Sequence, residues 1–347
     1  MIIGIPKERK PNEARVVLTP TGVHEMTKNH IPVLVEAGAG EGSGFTNADF
    51  ERAGAEIIAE IGVLYEQSDI ILKLNSPDQE ELTHLKKNHI LCGYLHLEIE
   101  TELADQLLKI GCTAIAFEAL KNQGTYPLLA PLSAIAGRAA VQTGSHLLQS
   151  DQLRTEQLST DTKGTGLEHM VVIGAGVAGW NAVETAINAG AQVTVFDNNS
   201  VMLAKYEQFG PEVTALFADS KVISKALQSA NLAIGCILSK GQKSEIMVTE
   251  AMVKSMQPGS VIVDLSIDQG GCFETSRATN LDSPTYQCHG VTHMCIKNLS
   301  SIVPVTASQV LSGVLVPYLI NMTRIDLAKD NVFRTAMVIH NGASLAA

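Results

Sequence analysis

The sequence predicts an α/β protein of two domains, and three observations carry this prediction. The chain has 347 residues, enough for about two domains of ~150 residues each. Short apolar segments typical of strands alternate with segments of helical periodicity, as expected for mostly parallel sheets. The near-continuous apolar segments 170–173 and 261–263 are typical of parallel strands that are buried on both faces.

The composition excludes several classes of protein. Lys and Arg number 25 against 36 Asp and Glu, which gives a net charge of −11. Nucleic acids and anionic membranes both attract a basic face, so we expect neither as a partner. With 45% hydrophobic and 18% charged residues, the chain is too apolar for a disordered protein. No apolar run reaches the ~18 residues of a membrane helix and residues 1–8 do not form a signal peptide, so we expect a soluble cytoplasmic protein.

The first domain is expected to comprise residues 1–130 together with residues 303–347. In its first part, strands are predicted at 32–36, 70–74, 90–96 and 113–118, and helices at 47–61 and 100–110. Residues 303–347 are helical by pattern but too few to hold a core of their own. We therefore expect them to pack against the first part, which makes this domain discontinuous.

The second domain is expected to comprise residues 131–302. A long helix is predicted at 133–149, and the polar residues 150–166 after it have the composition of a loop. The remaining pattern repeats strand and helix, with strands at 170–173, 192–196, 232–237 and 260–265 and a helix at 178–189.

A glycine-rich motif opens the helix of this second domain. Gly174-Ala175-Gly176-Val177-Ala178-Gly179 follows an apolar strand and leads, 23 residues from Gly174, to Asp197 at the end of the next strand. Gly174 permits the tight turn, Gly176 lets the backbone approach a pyrophosphate, and Gly179 allows close packing of helix and sheet. The helix N-terminus offers N–H donors to the phosphates. Because Asp197 can bind both ribose hydroxyls and repels a 2′-phosphate, the motif predicts a Rossmann domain that binds NAD rather than NADP.

Several further segments give the chain a resemblance to bacterial alanine dehydrogenase. The superfamily also contains the NAD-binding domain of proton-translocating transhydrogenase and lysine-forming saccharopine dehydrogenase. The resemblance covers nearly the whole chain, and His96 with the segment 267–274 favours alanine dehydrogenase over its relatives. The segments that carry it are Gly4-Ile5-Pro6-Lys7-Glu8, Asn12-Glu13-Ala14-Arg15-Val16, Glu36-Ala37-Gly38-Ala39-Gly40, Leu72-Lys73, Tyr94-Leu95-His96-Leu97, Pro127-Leu128-Leu129-Ala130-Pro131-Leu132-Ser133 and Ile267-Asp268-Gln269-Gly270-Gly271-Cys272-Phe273-Glu274.

The resemblance implies oxidative deamination of L-alanine to pyruvate, and the residue types suit that reaction. It implies that Arg15 and Lys73 bind the substrate's carboxylate and carbonyl and that His96 is the acid and base. A planar guanidinium can bind a carboxylate with two parallel hydrogen bonds. Histidine titrates closest to neutral pH, so it suits the proton transfers. Lys73 lies on an apolar strand, where a lysine is unusual, and could stabilise negative charge that develops on oxygen.

The resemblance also implies the cofactor side of the site. Asp268 would lie beside the nicotinamide and assist catalysis, and it follows an apolar strand, as active-site residues of α/β proteins often do. Ser133 would contact the cofactor, and Asn298 would lie near the nicotinamide and the substrate. Because hydride transfer depends on positioning, we expect the site in a cleft between the two domains. The resemblance further implies a homohexamer.

Other interpretations stay open at this stage. The chain could be an NAD(H)-binding module related to the transhydrogenase domain, or a dehydrogenase of a different amino acid or of a larger substrate of the saccharopine type. It could also be an NAD-binding scaffold without activity. The six cysteines include no C-x-x-C pair and are expected to be buried thiols. Cys288, His289, His293 and Cys295 lie within eight residues but lack the spacing of zinc ligands, so we expect no metal.

Overall fold

Strands alternate with helices along most of the chain, as the sequence predicts. The structure is a computed structural model, and it describes residues 1–155, 167–238 and 243–345. It divides into unit 1, residues 1–132 and 301–347, and unit 2, residues 133–300. Each unit is built on one mostly parallel sheet, so the predicted α/β class is confirmed.

Unit 1 contains an eight-stranded sheet. Its first elements are β1 (Ile3–Ile5), α1 (Pro20–Lys28), β2 (Val33–Glu36), α2 (Asn47–Arg52), β3 (Glu56–Ile58), α3 (Ile61–Gln67), β4 (Ile70–Asn75), α4 (Gln79–His84), β5 (Ile90–Tyr94), α5 (Thr101–Ile110) and β6 (Thr113–Ala116). The chain then forms α6 (Leu129–Thr155), which runs on into unit 2. Strands β1 to β6 are all parallel, in the order β6-β5-β4-β1-β2-β3.

Unit 2 contains a seven-stranded sheet. Its elements are β7 (His169–Ile173), α7 (Val177–Asn188), β8 (Gln192–Asp197), α8 (Ser200–Ala204), β9 (Val213–Phe217), α9 (Ser220–Leu227), β10 (Leu232–Gly235), α10 (Glu250–Lys254), β11 (Val261–Asp264), β12 (Thr285–Cys288) and β13 (Val291–Met294). The strand order is β12-β13-β11-β10-β7-β8-β9, and only β12 is antiparallel to its neighbour. The central strands β10 and β11 are buried along their whole length, as their uninterrupted apolar sequences predict.

The chain returns to unit 1 after unit 2. It forms α11 (Pro304–Met322), α12 (Asn331–Ala336), β14 (Met337–His340) and β15 (Ala343–Ser344). The segment 303–347 is largely helical, as predicted, but its end forms strands that the pattern did not indicate. The buried side chains of Met337 and Ile339 alternate along β14, which pairs antiparallel with β6 and extends the sheet. A four-residue strand gives too few alternations to be recognised beside a helical pattern.

Two more of the sequence predictions differ from the structure. The single helix expected at 47–61 is two helices with β3 between them, because Gly54 turns the chain in the left-handed region at φ +94°. The long helix begins at Leu129 and ends at Thr155, so residues 150–155 are helical rather than the start of a loop. The rest of that expected loop, residues 156–166, lies outside the described residues.

α11 has the length and apolar composition of a membrane span, and it is the only such helix in the described part of the chain. Its Ser308 hydroxyl accepts the Val16 N–H, and its Ser312 hydroxyl accepts hydrogen bonds from the N–H and the hydroxyl of Thr19, all within unit 1. Core helices of globular domains pass the same test of length and composition, so one such helix is weak support for a membrane span.

The turn from β7 into α7 is packed too closely for side chains at two of its glycines. Gly174 adopts φ +113°, a conformation that side chains other than glycine rarely accept. A methyl group on Gly179 would lie 2.0 Å from the carbonyl oxygen of Gly174. A methyl group on Gly176 would meet nothing within 4 Å. The first and third glycines of the motif are therefore required by the fold, and the second is not.

We expect Gly179→Ala to lower the free energy of unfolding by about 2 kcal/mol, because the backbone must move to admit the methyl group. Gly176→Ala is the matched control and should cost under about 1 kcal/mol, since it only weakens a helix N-cap position. Urea unfolding of the two variants measures the difference. Equal costs would contradict the described packing.

Candidate active site

The carboxyl edge of the unit 1 sheet gathers most of that unit's buried charge. Glu8 follows β1, Lys73 lies near the end of β4, His96 follows β5 and Glu118 follows β6. The chain leaves β1 toward β2 on one side of the sheet, and β4 lies on the other side. Ligands of open α/β sheets bind at such a switch point, outside the carboxyl ends of the strands.

Arg15 lies buried in the loop after β1, with its guanidinium held by Glu13. Its Nε donates to Glu13 Oε1 at 2.8 Å and its Nη2 to Glu13 Oε2 at 2.6 Å. Burial opposes ionisation of Glu13, but the bonds to Arg15 prevail and lower the pKa of that carboxyl. Glu13 therefore fixes the plane of the guanidinium, and the pair shows that Arg15 can hold a carboxylate by two bonds.

Lys73 is more deeply enclosed than a lysine that simply faces a ligand. Its side chain is 1% exposed, and its Nζ lies 2.6 Å from Glu81 Oε1 and 3.7 Å from Glu8 Oε2. Glu81 is equally buried on α4, and Arg9 also approaches it, at 3.9 Å. In this structure, Lys73 therefore neutralises buried carboxylates, which accounts for a lysine on an apolar strand.

Glu8 and Asn75 link the surroundings of Lys73 to those of Arg15. Glu8 accepts the Leu74 N–H at 2.6 Å and the side-chain amide of Asn75 at 3.2 Å. The same amide donates to Glu13 at 3.0 Å. Burial raises the pKa of Glu8, although Lys73 and these donors act in the opposite direction. Arg15 and Lys73 thus belong to one continuous network of buried polar groups.

His96 has an unusual backbone conformation beside a buried carboxylate. Its φ is +48°, in the left-handed region. Glu118 accepts the His96 N–H at 2.6 Å and the Leu95 N–H at 3.3 Å. The imidazole Nδ1 lies 3.9 Å from Glu118 Oε1 and is buried without a hydrogen-bond partner. Burial raises the pKa of Glu118, while the charge of His96 lowers it.

Tyr94, the last residue of β5, is close enough to both Arg15 and Glu118 to be affected by their charges. Burial raises the pKa of its phenol, and the charges of Arg15 and Glu118 both reach it. The Tyr94 hydroxyl donates to the Leu128 carbonyl at 2.6 Å. Unit 1 therefore brings its three candidate residues, Arg15, Lys73 and His96, to one edge of its sheet.

In unit 2, Asp197 is joined to the glycine-rich turn. Its Oδ2 accepts the Ala175 N–H at 2.6 Å and its Oδ1 accepts the Asn199 N–H at 2.7 Å. Helix α7 starts after Gly176 with no side chain capping its first N–H groups, and Val177 is exposed there. Such a helix N-terminus presents donors and a positive dipole end to an anion.

Helix α6 crosses the start of α7 at Gly137, a residue that the sequence did not single out. A methyl group on Gly137 would lie 2.1 Å from the carbonyl oxygen of Ala178. Ser133 lies one turn earlier, on the same face of α6. The contact at Gly137 therefore brings Ser133 to the side of α6 that faces the glycine-rich turn.

The loop after β11 is organised by the buried Asp264. Its Oδ2 accepts the Cys272 N–H at 2.9 Å and the Ser276 hydroxyl at 2.6 Å, and its Oδ1 accepts the Ser266 N–H at 3.0 Å. Burial raises the pKa of Asp264, and these donors oppose that effect. A single carboxylate therefore fixes the loop on which Asp268 lies.

Asp268 and Asn298 are in direct contact. Asp268 Oδ1 accepts the Asn298 N–H at 2.9 Å, and Asn298 has a φ of +53°. Two candidate residues 30 positions apart are thus brought together at one end of the unit 2 sheet. Like His96, Asn298 is a non-glycine residue in a conformation that is uncommon outside turns and functional sites.

The cysteine and histidine residues between 288 and 295 are engaged separately. His289 bonds Glu250 at 2.7 Å, and His293 bonds the Thr275 hydroxyl at 2.8 Å. Cys295 Sγ contacts the Ser276 hydroxyl at 3.7 Å. These contacts tie the β12–β13 hairpin to its neighbours. The six cysteines are free, and four of them are buried.

Sequence reasoning did not assign roles to the residues that hold the candidates in place. They are a glycine and several acids and amides, some with partners far away in sequence, and a weak signal for some of them was their position just after a strand. They are Glu8, Glu13, Asn75, Glu81, Glu118, Gly137 and Asp264.

Comparison with known proteins agrees with both units. A family model described as Alanine dehydrogenase/PNT, N-terminal domain, matches residues 4–136, and one described as Alanine dehydrogenase/PNT, C-terminal domain, matches residues 140–346. The alanine dehydrogenase of Bacillus subtilis (strain 168) is 42% identical over 339 residues, 97% of this chain and 89% of that protein.

Solved structures give the same result. An L-alanine dehydrogenase matches with a TM-score of 0.90 and 34% identity, covering 99% of this chain and 97% of that chain. A transhydrogenase from Sinorhizobium meliloti matches with a TM-score of 0.84 and 26% identity, covering 99% of both chains. The chain belongs to the alanine dehydrogenase/PNT family.

Proposed function

We propose that the protein catalyses the NAD-dependent oxidative deamination of L-alanine to pyruvate and ammonia, and the reverse reductive amination. The observation that carries this proposal is the grouping of Arg15 and His96 at one sheet edge, within a chain similar to alanine dehydrogenases over its full length. A module that only binds NADH has no need of a buried arginine and a histidine at that edge.

The turn between β7 and α7 fits NAD. A phosphate could approach the backbone at Gly176, where a methyl group would meet only open space, and accept bonds from the first N–H groups of α7. Asp197 would bind the ribose hydroxyls, since a carboxylate has about four acceptor positions and only two are used by Ala175 and Asn199. Ser133 and Asn298 would complete the cofactor contacts.

Arg15 would bind the substrate carboxylate, in an orientation fixed by Glu13. Lys73 would stabilise negative charge that develops on the substrate oxygen. Lys73 Nζ is closely paired with Glu81, whereas Glu8 is 3.7 Å away. The substrate oxygen would therefore approach Nζ from the side of Glu8. The two cations would then hold the carboxylate and the carbonyl oxygen of a small keto acid.

The protons are assigned to His96 and Asp268. Bound NAD would supply the hydride acceptor, and loss of the C2 hydride from alanine, once its ammonium group has given up a proton, would leave an iminium. His96 would take a proton from the attacking water and return it when the carbinolamine releases ammonia. Asp268, held by the Asn298 N–H, would favour the positive charge of the iminium.

The division of labour follows from these assignments. Residues 1–130 and 303–347 would form the substrate domain and residues 131–302 the NAD-binding domain. No metal is part of this proposal. We further propose that the protein is cytoplasmic, as expected from its sequence, and that it assembles as a homohexamer, as the family resemblance implies. Its partners would then be small molecules and further copies of itself.

A second candidate function is a nucleotide-binding module of the transhydrogenase type, which the match to the transhydrogenase structure favours. It would bind NADH without acting on an amino acid.

We expect reduction of NAD with L-alanine, and little with larger amino acids, when the absorbance of the reduced cofactor is followed.

His96→Asn should lower turnover at least ~100-fold while NADH binding survives, because asparagine tolerates the left-handed backbone but cannot act as the base. The single tryptophan, Trp180 beside the glycine-rich turn, reports that binding by fluorescence. No reduction with any amino acid would favour the second candidate, and loss of NADH binding in His96→Asn would show that the site is misassigned.

Lys73 needs a variant that separates structure from chemistry. Lys73→Met should cost about 3 kcal/mol of unfolding free energy, because Glu81 loses its closest cation. The double variant Lys73→Met/Glu81→Gln should recover most of that stability, since Gln can still accept the Asp78 N–H. We expect the double variant to fold and remain inactive with L-alanine. Recovery of activity along with stability would show that Lys73 is structural only.

Asp197→Asn should reduce the preference for NAD over NADP at least ~10-fold, because it removes the charge that repels a 2′-phosphate. The asparagine keeps an oxygen that can accept the Ala175 N–H, so the turn should be preserved. The ratio of kcat/KM for the two cofactors measures the effect. Equal use of both cofactors by the unmutated protein would overturn the assignment.

A further inference from the structure

The loop that carries His96 depends on Glu118 more than on any other side chain among its described contacts. Both oxygens of Glu118 accept backbone N–H groups of this loop, Oε1 from His96 and Oε2 from Leu95. A left-handed histidine costs conformational energy, and it persists only where surrounding contacts determine it. Glu118 comes from the turn after β6, the neighbouring strand, so the two strand ends are tied together at this point.

The same carboxylate also faces the imidazole. His96 Nδ1 lies 3.9 Å from Glu118 Oε1 and is fully enclosed, although the His96 side chain as a whole is 33% exposed. The enclosed nitrogen therefore points inward to Glu118, and the other ring nitrogen, Nε2, is the one that a substrate can reach. A carboxylate that faces one ring nitrogen favours the tautomer with the proton on that nitrogen and sets the orientation of the ring.

We propose that Glu118 is the positioning residue of the acid–base step: it holds the His96 backbone, faces Nδ1 and leaves Nε2 to exchange protons with the substrate. This assignment rests on the proposed function, because it takes His96 as the acid and base. Glu118 itself touches neither substrate nor cofactor in this assignment, and it acts through His96.

The other ionisable groups near this imidazole lead to a control. Glu98 follows in the same loop. His96, Glu98 and Glu118 each place a side-chain nitrogen or oxygen within 4.8 Å of the other two. Glu98 is exposed, whereas Glu118 is buried. The charges of Arg15 and Glu118 also act on the pKa of the Tyr94 phenol, in opposite directions. Glu98 therefore offers the same charge at a similar distance but in water, where it is screened.

The first test is which ring nitrogen of His96 carries the proton in the ligand-free, full-length protein. Proton–nitrogen correlation NMR of labelled imidazoles identifies that nitrogen, with the His96 signals assigned by their absence in His96→Asn. We expect the neutral ring to carry its proton on Nδ1, facing Glu118, and Glu118→Gln to lose this preference, while Glu98→Gln keeps it. Glutamine can still accept the His96 N–H through its one oxygen, although it loses the weaker bond from Leu95.

Activity provides the second measurement. In Glu118→Gln, kcat for alanine oxidation should fall ~10-fold or more while NADH binding is unchanged. If Glu118→Gln does not fold, Glu118→Asp replaces it; this variant keeps the charge, so the proton should stay on Nδ1 while kcat falls.

Two results would overturn the proposal: no change of the protonated ring nitrogen in Glu118→Gln, or an equal change in Glu98→Gln. Failure of the unmutated protein to oxidise any amino acid would instead overturn the proposed function and leave the NMR result standing. The two failures are therefore distinguishable.

Discussion

A charge that is buried in a protein needs an opposite charge, and this constraint governs the candidate site in unit 1. Lys73 and Glu81 are each 1% exposed, and their contact at 2.6 Å offsets the cost of burying the two charges. Arg15 and Glu13 stand in the same relation, and Asn75 joins the two pairs through Glu8. The site is therefore a fixed array of compensated charges, in which a substrate must find its place among carboxylates that already bind the cations.

Most of the fold could be predicted because parallel strands carry a local signal. Runs such as 170–173 and 261–263 are apolar on both faces, and the structure has strands at both. The prediction was wrong for strands that are too short to show a regular alternation of side chains. Residues 47–61 contain a three-residue strand after a glycine turn, and β14 has four residues. These segments become strands because they pair with a sheet that has already formed, and the local sequence does not show that pairing.

Some parts of the candidate site could be predicted from the sequence and others could not. The glycine-rich turn and Asp197 are defined within 24 residues, and the required spacing can be read from the sequence. The contacts that hold His96 and Lys73 cannot, since Glu118 lies 22 residues from His96 and Glu8 lies 65 from Lys73. Any of 36 acidic residues could have filled those places. The enclosure of Lys73 likewise follows from partners in space, which is why its position on an apolar strand indicated only that it had some role.

The position of β14 bears on how the protein is made. Unit 2 is continuous in sequence, so a ribosome delivers all of its strands together and it can fold as they emerge. The sheet of unit 1 must wait, with one side of β6 unpaired, until the whole of unit 2 and then α11 and α12 have been synthesised. During that interval β6 is an open edge able to pair with a neighbouring nascent chain. The length of chain between β6 and β14 therefore sets how long that exposed edge must be protected.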